Sequence, residues 1–105
     1  MAKRSATEED LVRLFGSISR VRILALLFGS PGRRLYQREI MYEIGFPLQP
    51  VQRELRNLVA LGILKRIETH NRVYYEIDVS SPLYEPLKEI CSGFQGGHLL
   101  GFGGK

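Results

Sequence analysis

The sequence predicts a mainly α domain with one small β-hairpin, an α+β chain, on three observations. Apolar residues recur at helical spacing in several capped segments. Two β-rich runs, Ile63 to Glu68 and Val73 to Ile77, flank the polar stretch Thr69-His70-Asn71-Arg72. Glycine- and proline-containing breaks at Gly29-Ser30-Pro31-Gly32, Gly45-Phe46-Pro47 and Gly62 separate the elements.

At 105 residues the chain suffices for one domain and not two. A domain this small buries only about 60–65% of its unfolded surface, which makes dimerisation a natural supplement to the core. Hydrophobic and charged fractions of 44% and 25% exclude wholesale disorder. One cysteine excludes an internal disulfide and a multi-cysteine zinc site. No apolar run approaches the ~20 residues that span a bilayer, and no apolar stretch follows Met1 to Ser5, so a cytoplasmic protein away from membranes is expected.

The elements follow in order. Residues 1–6 are expected to be a disordered arm. Thr7 is placed to cap a helix whose first turn holds Glu8, Glu9 and Asp10. Leu11, Leu14 and Phe15 are its apolar stripe. A second helix is predicted from about Ser19 to Phe28, with Ile18, Val21, Leu24 and Leu27 on a wide buried face and Ile23 and Phe28 beside it. Leu35-Tyr36 reads as a short extended piece. Gln37 to Ile44 reads as a brief helix with Ile40, Met41 and Ile44 inward, closed by Gly45.

The next helix, about Gln49 to Leu61, carries the clearest pattern. Val51, Leu55, Leu58 and Val59 fall within about 100° of arc at about 100° per residue. Gln49, Gln52, Arg53, Arg56 and Ala60 occupy the opposite arc. Pro50 suits the first turn, where its missing N–H has no partner to lose. After the hairpin, Ser80-Ser81-Pro82 is expected to open a last helix with the seam Leu83, Leu87, Ile90 and Phe94. Residues 95–105 are glycine-rich and are expected to be a flexible tail.

Charge is uneven along the chain. Residues 33–72 hold eight basic side chains against four acidic ones, whereas residues 73–105 hold two against four. A sequence pI near 9.5 with a localised basic excess suits a phosphate-bearing partner. A short helix joined by a tight turn to an amphipathic helix is a helix-turn-helix order, and the hairpin with its basic tip is a wing after it. A major groove about 12 Å wide admits one helix, apolar behind and hydrogen-bonding in front.

Five segments in this order resemble winged helix-turn-helix transcriptional regulators of the ArsR-like group. They are Leu14-Phe15-Gly16-Ser17 with Arg20-Val21-Arg22-Ile23-Leu24, then Arg38-Glu39-Ile40, Val51-Gln52-Arg53-Glu54-Leu55, Leu61-Gly62-Ile63-Leu64, and Asn71-Arg72-Val73-Tyr74-Tyr75. The likeness is greatest to small winged-helix domains found alone or ahead of a nucleotidyltransferase domain. None of that second domain's catalytic carboxylates is matched.

The resemblance implies a three-helix core plus wing over residues 7–94, with extra N- and C-terminal helices that dimerise. It implies that the helix from Gln49 reads double-stranded DNA through Gln49, Gln52, Arg53 and Arg56. His70, Asn71 and Arg72 would form the wing tip on the backbone or minor groove. Gln37 and Arg38 would hold a phosphate at the start of their helix. Lys65 and Arg66 point to opposite faces of a strand, so at most one joins them.

Arg20 and Arg22 are read as structural, pairing with Glu8, Glu9 or Asp10. Tyr74 and Tyr75 alternate, one toward the core and one outward. Cys91 reads as a buried thiol. Metal sensing finds no ligand cluster, no motif of a nucleophilic or phosphate-loop enzyme is present, and no cofactor is expected.

The expected function is thus a DNA-binding transcriptional regulator, a repressor by expectation and not an enzyme. It would act as a homodimer through Leu11, Leu14, Phe15, Leu83, Leu87, Ile90 and Phe94. The alternative is a winged-helix module that docks a partner protein, such as a nucleotidyltransferase or a toxin, through a tail carrying Leu99, Leu100 and Phe102.

Overall fold

Helix α1 (Glu8–Phe15) starts with a reciprocal cap: the Thr7 hydroxyl accepts the Asp10 amide at 3.2 Å, and the Asp10 carboxylate accepts the Thr7 amide at 3.0 Å. The computed structural model describes residues 7–92. The expectations for residues 1–6, Phe94 and residues 95–105 therefore lie outside the described residues.

Helix α2 (Ile18–Gly29) is capped by Ser17, whose hydroxyl accepts the Arg20 amide at 3.1 Å. Then come strand β1 (Leu35–Tyr36) and helix α3 (Gln37–Ile44). Gly45 ends α3 in the left-handed region (φ 74°), where a Cβ is disfavoured, and its amide reaches the Met41 carbonyl at 2.9 Å. Only three residues, 45–47, separate α3 from helix α4 (Leu48–Ala60). Pro50 is the third residue of α4, inside the first turn as its chemistry requires.

Strands β2 (Leu64–Thr69) and β3 (Arg72–Ile77) and helix α5 (Tyr84–Ser92) are the remaining described elements. Among the described residues the fold is mixed α/β, five helices and a small antiparallel sheet. Helix α2 is its centre. Val21, Ile23, Leu24, Ala25, Leu26 and Leu27 are all buried, because α1, α3, α4, α5 and β3 all pack on it. Ile18, expected on the buried face, lies at the first turn and is exposed.

Several expectations need correction. The sheet has three strands in the order β1-β3-β2, because Leu35 and Tyr36 pair with Tyr75 and Tyr74. The hairpin is tighter than the sequence suggests: Thr69 and Arg72 are paired strand residues, leaving His70 and Asn71 as the loop. His70, in that loop, takes a positive φ of 45°.

Arg20 pairs with none of the acidic residues of α1. Its guanidinium bonds Glu54 of α4 at 2.8 and 3.3 Å and the Phe15 carbonyl at 2.9 Å. Arg22 does pair with α1, at Glu8 (3.0 Å).

Helix α5 starts at Tyr84, later than Pro82. The Ser81 hydroxyl accepts the Leu83 amide in the preceding turn, and Pro86 is the proline of the first helical turn. The inward residues of α5 are consequently Tyr84, Leu87 and Cys91, while Leu83 and Ile90 are exposed. Leu11 and Leu87 are buried in the protomer's own core, so neither offers a free surface to a second copy. Phe15 packs half-buried on that core, and Leu14 is 65% exposed. Among the described residues no helix is long and apolar enough to cross a membrane.

Candidate nucleic-acid interface

Helix α4 is two-sided in the way its spacing predicts. Val51, Leu55 and Leu58 are buried, Val59 is half-buried, and Gln49, Gln52, Arg53 and Arg56 are exposed. One inward residue is charged. Glu54 is only 5% exposed, and the Arg20 guanidinium satisfies both its carboxylate oxygens. A buried carboxylate needs such a partner, and this pair ties α4 to α2 and to the end of α1.

The hairpin is tied to the start of α3 by aromatic contacts. The Tyr36 and Tyr74 rings stack with centroids 4.8 Å apart. The Arg72 guanidinium lies 5.0 Å from the Tyr36 ring centroid on its face and donates to the Tyr36 hydroxyl. The Tyr74 hydroxyl donates to the same oxygen at 3.4 Å. This bond, followed by desolvation, raises the Tyr36 phenol above its ordinary value, so it stays a neutral acceptor. The Tyr36 amide in turn donates to Glu39 at 2.8 Å at the start of α3.

Three grooves join these elements into one surface. Tyr36, Gln37, Arg38, Asn71, Arg72 and Val73 line one between α3 and the hairpin tip. A second, of about 240 Å³, lies between α4 and the sheet and is lined by Gln37, Gln52, Arg56, Val59, Arg66 and Tyr75. The third runs beside the α1–α2 turn along Arg20, Arg53, Arg56 and Asn57. Gln37 is shared by the first two and Arg56 by the last two. Every residue predicted for the interface is on this surface except Gln49 and His70. Those two are exposed, one in the first turn of α4 and one at the hairpin tip.

The distribution of carboxylates sets this surface apart. Seven of the twelve described Lys and Arg side chains pair with a carboxylate: Arg13, Arg20, Arg22, Arg33, Arg34, Lys65 and Arg66. Among the described residues the five without one are Arg38, Arg53, Arg56, Arg72 and Lys88. The first four are the arginines predicted for the interface. Fixed positive charge without a fixed counter-charge gives a local field that draws a polyanion.

Sequence reasoning missed Tyr36, Tyr74, Asn57 and Tyr75 as contributors. It left Lys65 and Arg66 as alternatives, and the register separates them. Lys65 lies opposite Glu76 and pairs with it at 3.5 Å. Arg66 lies opposite Tyr75, on the sheet face that turns toward the helices. That assignment follows from two-residue alternation once Leu64 is known to be buried.

No protein-family model matches the chain, and no curated protein and no solved structure shows significant similarity to it.

Proposed function

We propose that the protein is a sequence-specific, double-stranded DNA-binding transcriptional regulator of winged helix-turn-helix type, acting as a homodimer. The observation that carries the reading is the set of arginines without a carboxylate partner, Arg38, Arg53, Arg56 and Arg72, gathered on α3, the outer face of α4 and the hairpin. Element order also supports it: α2, β1, α3, α4, then β2 and β3, in a sheet ordered β1-β3-β2, corresponds to a three-helix core followed by a wing.

In this reading α4 enters the major groove. Gln49 and Gln52 offer the two-point pairing that suits adenine, and Arg53 and Arg56 the pairing that suits guanine. Arg38 and Arg72 hold the backbone on either side of the α3–hairpin groove. The second copy rests on the exposed apolar residues of the terminal helices, Leu14 and Ile90, and on Leu83 just before α5. Two-fold symmetry then spaces two copies of α4 about 34 Å apart, one turn of duplex.

Selection from random duplexes, with mass in solution measured alongside, tests both parts. A palindromic consensus bound by a dimer is expected. Arg53→Ala is expected to weaken binding to that consensus about ten-fold or more. Undiminished affinity and selectivity in this variant would overturn the placement of α4. Weak, salt-insensitive duplex binding beside a stable protein partner would favour the docking-module alternative.

A further inference from the structure

The groove between α4 and the sheet brings together two guanidinium groups, of which only Arg66 has a carboxylate partner. Arg56 and Arg66 both line it, together with the amides of Gln37 and Gln52 and with Tyr75, and no carboxylate lines it. Two guanidinium groups brought to one cleft repel each other unless an anion lies between them. The nearest acid, Glu68, pairs with Arg66 at 2.8 Å from the same strand, but its side chain is 65% exposed and outside the lining.

The position of Arg66 is unusual for a surface cation. It shares a sheet face with Leu64 and lies opposite Tyr75, both buried, so its stem continues the helix-facing side of the sheet beyond the end of the core. Glu68, then the Tyr75 hydroxyl, push its guanidinium above the ordinary value, so it remains charged at any working pH. The volume limits the occupant. About 240 Å³ equals roughly eight waters at ~30 Å³ each and is below the usual range for drug-sized ligands. It has room for one tetrahedral oxyanion with several waters beside it.

We infer that this groove is a phosphoryl-group seat, in which Arg56 and Arg66 clamp the anion and Gln37, Gln52 and Tyr75 donate hydrogen bonds to its oxygens. Guanidinium groups suit the task, because their forked donors match phosphate geometry. The occupant we assign is a backbone phosphate of the duplex, at the inner corner between α4 and the hairpin. That assignment rests on the DNA-binding reading above. Gln52 and Arg56 then divide their donors between base edges and this phosphate, and Arg66 contributes to affinity without reading sequence.

Duplex binding measured across salt concentrations tests the seat, using wild type, Arg66→Ala, Arg66→Lys and Glu68→Gln. Arg66→Ala is expected to weaken selected and scrambled duplexes alike, by about five- to ten-fold. It should also lower the slope of log affinity against log salt by about one. Arg66→Lys keeps the charge and should keep the slope. Glu68→Gln releases Arg66 and should strengthen binding more than Glu89→Gln, the same change of net charge on α5.

Inorganic phosphate alone, titrated while the side-chain amide signals of Gln37 and Gln52 are followed, separates the sources. Shifts lost in Arg66→Ala, together with duplex binding indifferent to Arg66, would keep the seat and assign it to a free phosphorylated ligand. If Arg53→Ala weakens duplex binding while neither duplex nor inorganic phosphate responds to Arg66→Ala, the seat is overturned and the DNA reading stands. If no variant changes duplex binding, the DNA reading fails first.

Discussion

Removing Arg20 isolates the one buried charge that holds α4 in place. In Arg20→Ala the Glu54 carboxylate, 5% exposed, loses partners at 2.8 and 3.3 Å, and the Phe15 carbonyl loses a donor at 2.9 Å. Stripping one partner from a buried ion pair costs roughly 3–5 kcal/mol. The Arg20 side chain is 31% exposed, so water reaches part of the vacated space and the lower end, about 3 kcal/mol, applies. Against a total stability of about 5–15 kcal/mol this is a large fraction. For a domain of this size it corresponds to a fall in Tm of about 12 °C or more.

Urea titration and thermal unfolding, followed by helical circular dichroism, read the loss. The double variant Arg20→Met with Glu54→Met removes both charges and keeps apolar volume. It is expected to be more stable than Arg20→Ala, because no carboxylate is left stranded. A loss below about 1 kcal/mol in Arg20→Ala, combined with Arg20→Met and Glu54→Met losses that simply add in the double, would overturn the dependence of Glu54 on Arg20. Glu54 would then be solvated in the folded state rather than dependent on its partner.

The other predictions concern the thiol and two glycines. Burial pushes the Cys91 thiol up to about 11 from its ordinary 9.0, so Ellman-type reagents are expected to label it at pH 8 only when denaturant is added. Above pH 9 the unfolded chain ionises this thiol and the folded chain does not. This group alone should therefore lower stability between pH 9 and 11 by up to roughly 3 kcal/mol and then level off, a contribution that Cys91→Ala removes in pH-dependent unfolding. Gly45→Ala is expected to cost about 1 kcal/mol for its positive φ alone, since no atom lies near the added methyl. Gly29→Ala, at the end of α2 with ordinary φ and open space, should stabilise by roughly 0.5 kcal/mol in the same unfolding assay.

Where local chemistry decides structure, the sequence is readable. The capped start of α1 at Thr7, the close of α3 at Gly45 and the two faces of α4 all depend on residues within one or two turns. Where partners are distant it is not. Leu35-Tyr36 is too short to announce a strand and becomes one only because Tyr74 and Tyr75 are there to pair with it. Glu54 falls three residues after Val51, on the apolar side of α4, but an apolar count passes over it and its partner is 34 residues away.

The terminal helices mislead for a related reason. Leu11 and Leu87 have the spacing of a dimer seam, yet a small core consumes them first. For the site, the arginines were legible as a pattern of charge. The tyrosines that hold Arg72 were not, because their effect depends on a stack formed across the sheet.

The two-residue strand β1 has an architectural consequence out of proportion to its length. It welds the entrance of α3 to the inner rail of the hairpin, with Tyr36 as the rivet. Hairpin and helix pair are therefore joined on one frame. One residue inserted between Tyr36 and Gln37 would rotate α3 by about 100° while the hairpin stayed still. A change of length at that joint would therefore alter the frame, whereas an exchange of side chains would not.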